Sequence, residues 1–128
     1  MYTSATLALA AIEVFVHLTP SEMPRDLVAI AAEIPDDVEI RRLRGRDLPA
    51  AWRTHPAPDA LAALGTDWVR EGRTAVLAVP SAVIPQEENY LLNPGHVDFR
   101  RVRIGRPGPF RFDERMWKRR SSGGPGAR

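Results

Sequence analysis

The stretch LALAAIEVFVHL, residues 7–18, is the segment on which the fold most directly depends. Its apolar residues recur at helical spacing, which predicts an α-helix. Other apolar residues lie between these positions, so the helix is expected to be buried on most of its sides. Ser4 is expected to cap the start of this helix, and Thr19-Pro20 is expected to end it.

The same run is the one candidate for a targeting segment. It is shorter than the roughly 20 residues that a membrane-spanning helix needs. Glu13 lies within it and no basic stretch precedes it, which argues against a signal peptide. Cysteine is absent, which excludes disulfides, zinc–thiolate sites and a thiol nucleophile. These features predict a cytoplasmic protein that does not bind membranes.

The rest of the chain alternates short apolar segments with turns. The pattern predicts a helical turn beginning at Asp47, a second helix opening at residues 56–59 with a break at Gly65, and a compact turn at residues 89–94 (NYLLNP). Short strands are predicted over residues 25–34, 38–43, 74–79, 102–104 and 110–112. The fold class that follows is α/β (mixed α+β), with short mixed or antiparallel strands and a buried N-terminal helix in one domain.

The charges are distributed unevenly along the chain. Residues 1–98 hold 8 basic and 14 acidic residues, whereas residues 99–128 hold 10 basic and 2 acidic residues. Such a basic end suits nucleic acid or an acidic partner. A solvated tail is the favoured interpretation, because no motif for nucleic-acid recognition accompanies the charge. Residues 118–128 are expected to form a disordered basic, glycine-rich tail, and no direct nucleic-acid binding is expected.

Glu13 is the most unusual residue of the predicted helix, because its helical neighbours are mostly apolar. A carboxylate on such a surface loses hydration, which is costly unless partners compensate for it. The residue is therefore either paired or functional. The structural alternative is a salt link to His17, four residues further along the helix.

Ser81 follows a predicted strand and a proline, in the sequence VPSAV. The surroundings differ from the G-x-S-x-G motif of serine hydrolases, so the residues alone favour a turn. Asn89 and Asn93 are likewise expected to close turns with their side chains. No glycine-rich phosphate loop is present. The three histidines are scattered, and no metal site is predicted.

Five segments, in this order, resemble the RES domain family. They are YTSATLALAAIEVFVHL, DLPAAWR, GTDWV, VPSAVIPQEENYLLNPGH and FDERMW, and they lie at residues 2–18, 47–53, 65–69, 79–96 and 112–117. Each segment is a weak motif by itself, but all five in sequence are specific. The resemblance covers residues 1–117 as one RES domain.

The resemblance implies a fold like that of ADP-ribosyltransferases and a bacterial toxin that degrades NAD⁺. It implies Glu13 and Ser81 as catalytic residues and Tyr2 as a residue of the NAD⁺ site. NAD⁺ is then the substrate, and no separate cofactor is expected. The implied partner is an antitoxin protein with an Xre-like domain, and a homodimer is left open.

The family's arginine belongs to a segment ahead of the YTS motif, so the first strands and that arginine are expected to be missing from residues 1–128. Either the start codon lies further upstream or the chain is a truncated remnant. Three functions remain open. They are cleavage of NAD⁺ by water or phosphate, ADP-ribosylation of a protein, and binding of the antitoxin without turnover.

Overall fold

A four-stranded sheet and two helices organise the computed structural model, which describes residues 1–117. The helices are α1 (Leu7–Phe15) and α2 (Asp59–Glu71). The strands are β1 (Tyr2–Ser4), β2 (Val28–Ala29), β3 (Ala32–Glu33), β4 (Ile40–Arg42), β5 (Val76–Pro80), β6 (Glu88–Leu92), β7 (Arg103–Ile104) and β8 (Gly108–Pro109). The mixed α/β class predicted from the sequence is confirmed.

The main sheet has the strand order β1-β6-β5-β4. β4 and β5 are parallel, which their long connection through α2 makes possible, and the other neighbours are antiparallel. The smaller pairs β2–β8 and β3–β7 lie outside this sheet. The predicted strand over residues 25–34 is therefore two separate strands, because each half finds a different partner.

Two hydrophobic layers sandwich the sheet. One face carries the main core cluster, formed by Val38, Ala75, Val76, Leu92 and Val102. Because side chains alternate along a strand, Leu77 points to the opposite face, where it meets α2. α2 is continuous through Gly65, so the predicted break is wrong. Its buried Trp68 holds the helix in place against the modest cost of one glycine.

α1 confirms the predicted helix but not its ends or its burial. Thr6 is the N-cap, with its side chain accepting a hydrogen bond from Leu9 N at 3.1 Å, whereas Ser4 belongs to β1. The helix ends at Phe15, before the predicted stop. Leu9 is its one fully buried residue, while Val14 is 43% exposed. The prediction of burial on most sides is wrong, because α1 contacts the sheet through one face only.

Two further predictions need correction. Residues 89–94 belong largely to β6, because pairing with β1 and β5 overrides the local turn signals. The predicted strand at residues 110–112 is displaced to β8, and Phe112 instead packs against Phe15 with ring centroids 5.6 Å apart. The helical turn expected from Asp47 through Trp52 is present, with Trp52 N donating to Pro49 O at 3.0 Å, and a short 3-10 helix, Gly45–Asp47, precedes it. The predicted tail, residues 118–128, lies outside the described residues.

Neither helix within residues 1–117 is long and apolar enough to cross a membrane.

Candidate active site

Five side chains from four segments meet on one face of the sheet, beneath α1. Pairing of β1 with β6 places Ser4 opposite Asn89, and Tyr2 two residues away on the same face. Glu13 reaches this point from α1, and Ser81 immediately follows β5. Residues far apart in the sequence therefore form one hydrogen-bonded cluster.

Glu13 is the centre of the cluster. Its Oε1 accepts one hydrogen bond from Ser81 Oγ at 2.6 Å and another from Asn89 Nδ2 at 2.7 Å. Both donors are completely buried, whereas Glu13 is only partly buried. Among residues 1–117, no donor occupies the second oxygen, Oε2. The carboxylate is therefore held by one oxygen and offers the other for interaction with a ligand.

Ser81 uses its whole hydrogen-bonding capacity within the protein. Its hydroxyl donates to Glu13 and accepts from the backbone N–H groups of Val83 and Ile84, both at 3.1 Å. A hydroxyl has one proton and two lone pairs, so no further bond is free. Ser81 thus shapes the turn after β5, as the residues alone suggested, and also holds Glu13. Its predicted contact with NAD⁺ stays a prediction.

Asn89 is the site residue that the sequence analysis missed. Its Nδ2 donates to Glu13 Oε1 and to the Tyr2 hydroxyl, and its Oδ1 accepts from Ser4 Oγ at 2.8 Å. The residue was expected to close a turn, because its neighbours Leu92, Asn93 and Pro94 look like a turn segment. The sequence ENYLL, residues 88–92, does not alternate polar and apolar residues, so no local pattern marked Asn89 as an inward-facing amide of a strand.

Tyr2 lies at the open side of the cluster. Burial of its hydroxyl, and then the charge of Glu13, raise the pKa of the Tyr2 phenol to about 12. The phenol is therefore protonated at neutral pH. Because its oxygen accepts from Asn89, its own proton points away from the amide and is available to a ligand.

An apolar cavity of about 170 Å³ adjoins the cluster. Tyr2 forms one wall, and Pro80 and Ala82, on either side of Ser81, form another. α2 and the loop before it close the cavity, mainly with Leu61 and Trp52. No charged side chain lines it, so it suits a flat, uncharged ring better than a phosphate.

The two histidines nearest to α1 take no part in the cluster. His17 lies beside His55, with ring centroids 6.2 Å apart, and Glu13 is bonded to Ser81 and Asn89 instead. The structure therefore favours the hydrogen-bonded interpretation of Glu13 over a salt link to His17. Within the described part of the chain, no three histidine or acidic side chains gather where they could hold a metal ion.

Comparisons with known proteins identify the family of this chain. A family model described as "RES domain" matches residues 1–113. "Prs ADP-ribosylating toxin" of Sphingobium sp. (strain YBL2) is 32% identical over 118 residues, 91% of this chain and 73% of that protein. "Toxin Res" of Yersinia enterocolitica serotype O:8 is 34% identical over 117 residues, 91% of this chain and 76% of that protein.

"Toxin Res" of Photorhabdus laumondii is 31% identical over 99 residues, 77% of this chain and 63% of that protein. The fold and the cluster define a mixed α/β domain with a partly buried carboxylate held by two buried donors. The chain belongs to the RES domain family.

Proposed function

We propose that this protein is the toxin of a toxin–antitoxin pair and that it breaks the nicotinamide–ribose bond of NAD⁺. The relatives named as toxins support the first part. The observation that carries the second part is the position of Glu13, whose Oε1 is fixed by two buried donors while Oε2 remains open. The proposed location is the bacterial cytoplasm, and the proposed partner is an Xre-like antitoxin protein.

The chemistry needs a negative charge beside the ribose. When the bond between ribose C1′ and the pyridinium nitrogen breaks, its electron pair leaves with neutral nicotinamide, and positive charge develops on the ribose. Glu13 Oε2 would stabilise that charge. Water or phosphate then attacks this same carbon and loses a proton, giving ADP-ribose or ADP-ribose phosphorylated at that carbon. Ser81 acts by holding Glu13, and the Tyr2 phenol donates a hydrogen bond to the substrate without losing its proton.

The neighbouring cavity suits the leaving group. Nicotinamide is a flat ring, and the cavity beside Tyr2 is apolar and of similar size. Tyr2 lines this cavity, and its hydroxyl accepts from the same Asn89 amide that holds Glu13, so a ring placed there would bring its glycosidic bond towards the carboxylate. NAD⁺ enters this scheme as the substrate, and no other cofactor is required.

The test is nicotinamide release from NAD⁺ by the purified protein, with Glu13→Gln as the decisive variant. We expect Glu13→Gln to lower the rate at least about 100-fold, the usual loss of a charge-stabilising group. Glu22→Gln removes an exposed carboxylate outside the cluster and should leave the rate unchanged. Absence of turnover by the unaltered protein, or full activity of Glu13→Gln, would overturn the proposal.

A second function has a specific observation in its favour, because one relative is named as an ADP-ribosylating toxin. The same carboxylate would serve in transfer of ADP-ribose to a protein. NAD⁺ labelled in its adenylate moiety distinguishes the outcomes when bacterial extract is added. Label on a protein band supports ADP-ribosylation, whereas label in free ADP-ribose or its phosphate supports hydrolysis or phosphorolysis. Antitoxin binding without either product supports an inactive chain.

A further inference from the structure

Asn89 is the one residue of β6 that carries a completely buried polar side chain. The side chain is completely buried on the face of the sheet that carries Leu91 and Leu77. Burying an amide is unfavourable unless its polar atoms find partners. An apolar residue would satisfy the strand equally well, so the amide is expected to have a role beyond the strand.

The amide makes three hydrogen bonds, and each goes to a different residue. Both N–H groups of Nδ2 are used, one on Glu13 Oε1 and one on the Tyr2 hydroxyl. Oδ1 accepts the Ser4 hydroxyl proton. The Glu13 bond defines which way the amide faces, because a carboxylate only accepts hydrogen bonds whereas the Ser4 hydroxyl can donate or accept. The opposite orientation would place Oδ1 against the Glu13 carboxylate, where two acceptors repel each other.

We infer that Asn89 is a positioning residue that fixes Glu13 and Tyr2 relative to each other. This inference rests on the proposed function, in which both of those residues contact the substrate. With Ser81 as its one donor, the carboxylate could rotate about the hydrogen bond between Ser81 Oγ and Glu13 Oε1. A second donor on the same oxygen restricts that rotation and fixes the direction of Oε2. Asn89 itself is completely buried and does not reach a ligand.

The experiment measures kcat and KM for NAD⁺ with Asn89→Leu, which has a similar size but no donor. We expect kcat to fall at least about 10-fold, because a misplaced carboxylate loses charge stabilisation. KM should change less than about 3-fold, because Asn89 does not touch the substrate. Asn93→Ala is the matched control. That asparagine lies just after β6, accepts from Gly95 N at 3.0 Å, and should leave kcat unchanged.

Ser4→Ala provides a second test that spares the buried amide. It removes the hydroxyl that donates to Asn89 Oδ1. We therefore expect kcat to fall, but by less than in Asn89→Leu, again with little change in KM. If Asn89→Leu does not fold, Ser4→Ala decides by the same criterion. A folded Asn89→Leu protein with unchanged kcat, or a loss confined to KM, would overturn the inference.

A stability measurement separates this inference from the proposed function. Urea unfolding of Asn89→Leu, Glu13→Gln and the double variant should show non-additive shifts of the midpoint, because the two residues share a hydrogen bond. If the unaltered protein does not consume NAD⁺, the proposed function fails, while the coupling still tests the contact. Additive shifts would overturn the positioning role whatever the activity.

Discussion

Replacing Ser81 with alanine removes one oxygen atom that makes three hydrogen bonds. The hydroxyl donates to the Glu13 carboxylate at 2.6 Å and accepts from Val83 N and Ile84 N. Alanine fits the space, because it is serine without the oxygen. The substitution therefore isolates the effect of the hydrogen bonds from that of packing.

The expected loss of stability follows from these bonds. A hydrogen bond to a charged group contributes about 1.5–3 kcal/mol to the free energy of unfolding. The backbone N–H groups of Val83 and Ile84 lose an acceptor, but both residues are only partly buried, so water compensates in part and about 1 kcal/mol more is lost. We expect Ser81→Ala to lower the free energy of unfolding by about 3 kcal/mol.

Urea unfolding followed by circular dichroism measures this difference. Thr54→Ala is the matched control, because its exposed hydroxyl makes a single bond, to Ala51 O at 2.8 Å, and its loss should cost less than about 1 kcal/mol. Nicotinamide release by Ser81→Ala should fall about 10-fold or more, because Glu13 keeps only one of its two donors. A Ser81→Ala protein as stable and as active as the unaltered one would refute the assigned hydrogen bonds.

Three further predictions concern single groups. The Tyr2 phenol should titrate near pH 12 by ultraviolet absorbance, and Glu13→Gln should lower that midpoint; a midpoint near the usual 10 in the unaltered protein would contradict the structure. Because the folded state favours the protonated phenol, its contribution to stability is present below pH 10 and is lost as the pH rises to about 12. Trp68→Phe should lower the free energy of unfolding by about 2 kcal/mol, because Nε1 donates to the buried Thr74 Oγ1 at 2.9 Å; an unchanged urea midpoint would exclude that bond. Gly72→Ala should lower the free energy of unfolding by about 1 kcal/mol in the same assay, because Gly72 ends α2 in the left-handed conformation with φ of 62°. An unchanged free energy of unfolding would show that residue 72 does not adopt this conformation.

The parts of the fold that local pattern controls were predictable. Residues 74–79 were expected to form a strand, and β5 confirms it with three fully buried residues in succession, Val76–Ala78. The helical spacing of residues 7–18 predicted α1. Its first residue was not predictable, because Ser4 and Thr6 both suit an N-cap. Pairing of Ser4 with Asn89, far along the chain, decided between them.

The shortest strands were not predictable for the same reason. β2 and β3 contain two residues each and exist only because β8 and β7 pair with them. Their own sequence, residues 25–34, looks like one continuous strand. Hydrogen bonds to distant partners thus determine where these strands end, and local strand propensity does not predict those bonds.

The candidate site was predictable in proportion to how unusual each residue is locally. Glu13 stands out as a carboxylate among apolar neighbours, so the residues alone marked it as paired or functional. Ser81 needed the family resemblance, because a serine after a strand and a proline is common in turns. Asn89 escaped both, because its burial arises only when β1 and β5 flank β6. That arrangement is a property of the tertiary structure.

The position of β1 at the edge of the sheet links activity to local unfolding. β1 contains three residues and, within residues 1–117, pairs along one side only, with β6. Such a strand opens more readily than the interior strands, and its opening would withdraw Tyr2 and Ser4 while the core cluster stays intact. We expect this opening to give a nearly native state of higher free energy in which the candidate site is incomplete. A ligand held between Tyr2 and Glu13 stabilises the closed strand, so its affinity includes the free energy of closing β1.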